Sequence, residues 1–141
     1  MANQLPASAP GLLTPRRLSR YALAMLFVGA GGWHFVHPLT YQHIMPPWLP
    51  APLLLVYVSG VFEILGGLGL LPQRTRRLAS WGLVALLIAV FPANIYMVQI
   101  HEQLHVPGWV AWGRLPLQAL LIWWAWAAGR NEAKPGEATL L

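Results

Sequence analysis

Four apolar runs separated by short polar connections fill most of this sequence: Tyr21 to Val36, Pro52 to Leu71, Leu78 to Ile100, and about Trp109 to Ala128. A membrane-spanning helix needs about 20 mostly apolar residues, so four of them would use roughly 80 positions and leave only tails and turns. Composition leaves little alternative. Only 9% of the 141 residues are charged, against about a quarter in an ordinary soluble domain. Four acids (Glu63, Glu102, Glu132, Glu137) and nine Lys or Arg cannot coat a globule of this size. The sequence therefore predicts an all-α, four-transmembrane-helix bundle over 16–129, with helices at about 19–37, 52–71, 78–100 and 109–128. A Pro- and Ala-rich N-terminal tail (1–15) and a short C-terminal tail (130–141) flank it.

Within the runs, proline marks the irregularities. Pro38 and Pro72 close the first two runs, because the residue before proline disfavours helix. Pro92 should kink the third, and Arg114 and Pro116 lie near the start of the fourth, read as one kinked span. The connection 39–52 is uncharged and carries four prolines around Trp48, so it is expected to form no regular helix and to anchor at the interface or cover a pocket.

Loop charges set the orientation, since cytoplasmic loops retain Lys and Arg. Arg16, Arg17, Arg20, Arg74, Arg76, Arg77, Arg130 and Lys134 all fall on one side of a four-span chain, with Arg114 alone on the other. Both termini are therefore expected to be cytoplasmic. Aromatics mark both interfaces: Trp33, Tyr41, Trp48, Trp109 and Trp112 outside, and Tyr21, Trp81, Trp123, Trp124 and Trp126 inside. The cations form juxtamembrane clusters suited to anionic lipid headgroups, so the net charge of +5 does not point to nucleic acid. Arg16-Arg17 before an apolar run also suits an export signal, but no Ala-x-Ala site closes the run, so the first helix reads as retained. Arg16-Arg17-Leu18 with Tyr21, Leu23 and Leu26 recurs sixty positions later as Arg76-Arg77-Leu78 with Trp81, Leu83 and Leu86. A two-plus-two duplication would pair His34 with Asn94 in depth.

An ionisable residue at membrane depth is costly and marks a candidate site. Glu63 lies nine residues before Pro72, hence about 13 Å from the inner end of its helix. Ser59, Glu63 and Gly67 share a face, with Gly60 and Gly66 beside them, and such a stripe of small residues packs against a neighbouring helix. Polar groups from the other helices gather in the outer half. His34 and His37 end the first helix, and Asn94, His101 and His105 fall on one face of the third if it continues past Ile100. Arg114 and Gln118 are one turn apart on the fourth. An outward-facing pocket lined by His34, Glu63, Asn94, His101, Arg114 and Gln118 is expected. The alternative is a polar cluster that only locks helix packing.

With no cysteine, the chain has no disulfide, thiolate nucleophile or Cys-bound metal, and any redox chemistry must come from a bound cofactor or a partner. His101-Glu102-Gln103-Leu104-His105 matches the helical zinc motif H-E-x-x-H. It sits at a helix end just before Pro107-Gly108 with no third ligand following, so no metal is expected.

Gly32-Trp33-His34-Phe35, the Ser59-Gly60-x-x-Glu63-x-x-Gly66-Gly67 stripe, Leu71-Pro72-x-x-x-Arg76 and Phe91-Pro92-Ala93-Asn94-Ile95-Tyr96-Met97 together resemble the DoxX-like group of small bacterial membrane proteins, over about residues 18 to 128. The resemblance implies a four-helix bundle in the bacterial inner membrane, and the group's namesake is a small subunit of a thiosulfate:quinone oxidoreductase. It implies a quinone as cofactor and a soluble or membrane redox partner, with this chain at most a non-catalytic or quinone-binding subunit. It supplies no catalytic residues to map. Two other functions fit the residues: a small-molecule or proton-coupled transporter or binding protein, which with four helices would act as a homo-oligomer, and a scaffold subunit without ligand.

Overall fold

The computed structural model describes residues 14–130. They form five helices: α1 (Pro15–Val36), α2 (Pro38–His43), α3 (Pro52–Gly69), α4 (Arg76–Ile100) and α5 (Gly108–Ala128). Most of the expected tail 1–15, and all of 130–141 beyond Arg130, lie outside the described residues. α1 begins earlier than its apolar run because Thr14 caps it. The Thr14 hydroxyl accepts from the Arg17 N–H at 3.3 Å, and Pro15 occupies the first helical position, where its missing N–H costs nothing.

The 39–52 connection departs from expectation, since its first part is helical. Its prolines all fall at Pro46 or beyond, while Pro38 at the first position sets the φ that a helix needs. α2 stops before Pro46, and the chain then reverses through Ala51, held at φ 46° in the left-handed region, into Pro52 at the start of α3. α4 runs unbroken through Pro92, but it ends at Ile100. His101 to His105 form turns, with His105 at φ 54°. His101, Glu102 and His105 therefore do not share the helix on which the zinc motif depends.

The long helices run up and down. α1 packs mainly on α3, α3 on α4 and α4 on α5, while α1 and α5 meet sparingly. One end, here called the base, holds the start of α1, the α3–α4 turn and the end of α5. The other, the mouth, holds α2 and the α4–α5 connection. A core of Leu23, Phe27, Leu70, Leu83, Val84, Leu87 and Ala125 fills the base half. α3 and α4 are long and apolar enough to cross a membrane, and only 22% of each apolar stretch is buried inside the bundle. In a soluble protein such helices would be core elements with most of their surface covered. α1 carries three arginines in its first six residues, and α5 carries Arg114 and five tryptophans.

Candidate functional site

The site starts from a close approach of two glycines. A Cβ on Gly31 would lie 2.6 Å from the Gly60 carbonyl oxygen, and one on Gly60 would lie 2.9 Å from that of Gly31. α1 and α3 therefore meet backbone to backbone, as small residues permit in helix pairs. Three positions on from each glycine stand His34 and Glu63, and the crossing brings them together with His34 Nδ1 3.4 Å from Glu63 Oε2.

Both side chains are buried. Nδ1 of His34 also lies 2.9 Å from the Ala30 carbonyl, which can only accept, so this nitrogen carries hydrogen and Nε2 is left as the other polar face of the ring. Oε2 of Glu63 has no hydrogen-bond partner among the described residues, which is uncommon for a buried oxygen. Arg114 bonds elsewhere: its Nη1 donates to the Met97 sulfur at 2.8 Å.

α2 contributes Tyr41, whose ring stacks on His34 at 3.8 Å and 18°. Burial, and after it the Glu63 carboxylate, push the Tyr41 phenol above its ordinary value, with Arg114 acting in the opposite sense. Tyr41 thus keeps its O–H as a donor at neutral pH. From the other helix pair, Asn94 Nδ2 donates to Gln118 Oε1 at 2.8 Å, and Gln118 Nε2 donates to the Leu87 carbonyl. Gln118 is nearly inaccessible, so these two bonds hold α4 to α5 near Pro92 and Pro116, the proline inside each helix.

These groups surround a cavity of about 190 Å³. His34, Glu63, Asn94, Arg114 and Gln118, five of the six residues singled out in the sequence, line it. His101 does not; it lies past the end of α4 with Nδ1 2.7 Å from the Val98 carbonyl. Tyr41 and Ser59 add polar groups that were not expected there, and Phe27, Leu87, Leu117 and Leu121 supply much of the apolar wall. Ser59 was legible as part of the α3 stripe. Tyr41 was not, because its helix was not expected and its ring reads only as part of an aromatic belt. An apolar cavity with a few converging polar groups is the usual form of a small-molecule site. Here it offers a carboxyl with one oxygen free of hydrogen bonds, an imidazole nitrogen and a phenol, which can exchange protons, beside a guanidinium and an amide, which can donate hydrogen bonds.

A quinone, the cofactor implied by the resemblance, would meet apolar walls in this cavity, with Tyr41 O–H and Asn94 and Arg114 N–H groups to donate to its carbonyl oxygens and the Glu63 oxygen to take a hydrogen bond from a hydroxyl. A family model described as "Domain of unknown function (DUF8561)" matches residues 23–129. No curated protein and no solved structure matches the chain.

Proposed function

The chain belongs to the DUF8561 family, a domain of unknown function, and we propose that it is a four-span bacterial inner-membrane protein of DoxX-like type whose interior cavity holds the headgroup of a quinone or similar isoprenoid. Both termini would face the cytoplasm and the mouth would face outward. Two helices of sufficient length and apolarity support the membrane part of the reading. So do the loop charges and the many large apolar side chains on the outside, among them Met25, Leu78 and Trp109, each more than three-quarters exposed.

The observation that carries the ligand reading is that Glu63 Oε2 makes no hydrogen bond among the described residues, in a cavity where Asn94, Arg114 and Gln118 are each hydrogen-bonded. A polar cluster serving only to lock helices would have paired that oxygen. A bound quinone supplies two-electron, two-proton chemistry. Tyr41, Asn94 and Arg114 would hold its carbonyl oxygens, while Glu63 and the free nitrogen of His34 would hold or pass protons at its hydroxyls. The sparse contact between α1 and α5 leaves a lateral route by which an isoprenoid tail can lie against lipid. In this role the chain serves a redox partner as a non-catalytic or quinone-binding subunit.

The test is mass spectrometry of a solvent extract from detergent-purified protein, comparing wild type with Glu63→Gln and His34→Ala. A quinone should co-purify with wild type and be lost from both variants. Bulk lipid alone in wild type would overturn the ligand reading and favour a transporter or scaffold.

A further inference from the structure

A larger cavity, of about 770 Å³, lies at the base between the start of α1 and the end of α5. Arg16, Ser19 and Arg20 line it from α1 and share one face, being spaced three and four apart. Leu120, Trp123, Trp124 and Ala127 line it from α5, and Arg130 closes the rim, its guanidinium 4.9 Å from the centre of the Trp126 ring. Trp124 Nε1 donates to Ser19 Oγ at 2.8 Å, which fixes the wall between the two helices. No acidic side chain is among the described lining residues.

The groove thus has two chemistries in sequence. Its rim is cationic, with Arg16 and Arg130 exposed, and guanidinium N–H groups are matched in geometry to phosphate oxygens. Along its α5 wall it is apolar, with Leu120 and Trp123 more than half exposed beside a seam that α1 and α5 do not close, while the buried Arg20 lies on the α1 side. A free phosphate would use only the first of these, and a neutral lipid only the second. We propose that this groove binds an anionic phospholipid, its phosphate on Arg16 and Arg130 and one acyl chain along Leu120 and Trp123. The proposal rests on the membrane-spanning reading, but not on the nature of the ligand at the mouth.

The experiment uses the full chain, delipidated in neutral detergent and titrated with dioleoylphosphatidylglycerol, dioleoylphosphatidylcholine or inorganic phosphate, with bound lipid counted by native mass spectrometry. Wild type should favour phosphatidylglycerol over phosphatidylcholine. An arginine near an anionic headgroup contributes about fivefold in affinity, so the Arg16→Gln/Arg130→Gln double variant should lose about thirtyfold. Both residues are exposed, so this variant should fold. Arg74→Gln/Arg77→Gln, which removes two exposed arginines from the α3–α4 turn and the first turn of α4, should leave the preference intact. Equal binding of the two lipids would overturn the proposal. So would an equal loss in the Arg74/Arg77 variant, or inorganic phosphate competing at the affinity of the lipid. Flotation with phosphatidylcholine vesicles separates the two levels. Wild type that fails to float overturns the membrane reading and the site together, whereas wild type that floats and shows no preference overturns the site alone.

Discussion

The two halves of the bundle treat their buried polar groups differently. In the base half, hydrogen bonds tie polar groups to backbone or to another helix: Ser80 donates to the Ala125 carbonyl at 2.7 Å, Arg76 to the Leu70 and Leu71 carbonyls, and Trp124 to Ser19. In the mouth half the Glu63 oxygen makes no hydrogen bond among the described residues, and His34, Tyr41, Asn94 and Arg114 border the same open volume. Backbone strain follows the same division. The two non-glycine residues with positive φ among those described, Ala51 and His105, both lie in mouth connections, and such strain collects near functional sites. Pairing of polar groups, more than their number, separates a helix fastening from a site.

The strongest way to break the comparison is at the crossing that positions the site. Gly31→Ala would place a Cβ against the Gly60 carbonyl and the Glu63 Cβ, neither of which is a flexible chain end. The helices must separate, at a cost of about 3 kcal/mol by analogy with overpacked cores. Thermal unfolding in detergent should show a marked drop in Tm, with ligand lost as well. An unchanged Tm would mean that the α1–α3 approach is not what holds His34 beside Glu63. Next in size is a base fastening. Ser80→Ala removes a buried bond between α4 and α5 and should cost about 1 kcal/mol, with the ligand retained.

Which parts of this were legible in the sequence follows from the length scale of each signal. Apolar runs about 20 residues long located all four long helices, because burial along a whole helix is written in many side chains at once. Their ends moved by a few residues, since caps such as Thr14 act through single hydrogen bonds. α2 escaped notice because its six residues carry no period and the prolines that suggested a loop all follow it. Spacing along one helix placed Glu63 on an inward face and grouped Arg114 with Gln118. It could not show that Arg114 turns to Met97 while His34 takes the place beside Glu63, because that depends on how α1 crosses α3. The reading of His101 failed for a simpler reason: α4 ends one residue before it.

A smaller effect sharpens the contrast in strain. Ala51 holds a conformation that costs an alanine about 1–2 kcal/mol, and glycine would relieve it while gaining freedom in the unfolded chain. Ala51→Gly should therefore raise stability by about 0.5 kcal/mol, read as a small increase in Tm. A decrease would show that the left-handed turn is not strained and that the mouth resembles the base in this respect.

The smallest expected change in stability belongs to the residue on which the site reading depends most. Glu63 makes no hydrogen bond with the described residues, and its close neighbour His34 is already bonded to Ala30. Glu63→Gln therefore breaks no fastening and keeps the shape of the side chain, so Tm should stay within what about 0.5 kcal/mol would produce, while co-purified ligand disappears. Ser80→Ala should do the reverse, losing stability and keeping ligand. That crossed pattern is what a site at one end and a fastening at the other require. If Glu63→Gln lowered Tm as much as Ser80→Ala does, the carboxyl would be a structural group like those of the base. The open volume beside it would then be a packing defect, with no role in binding.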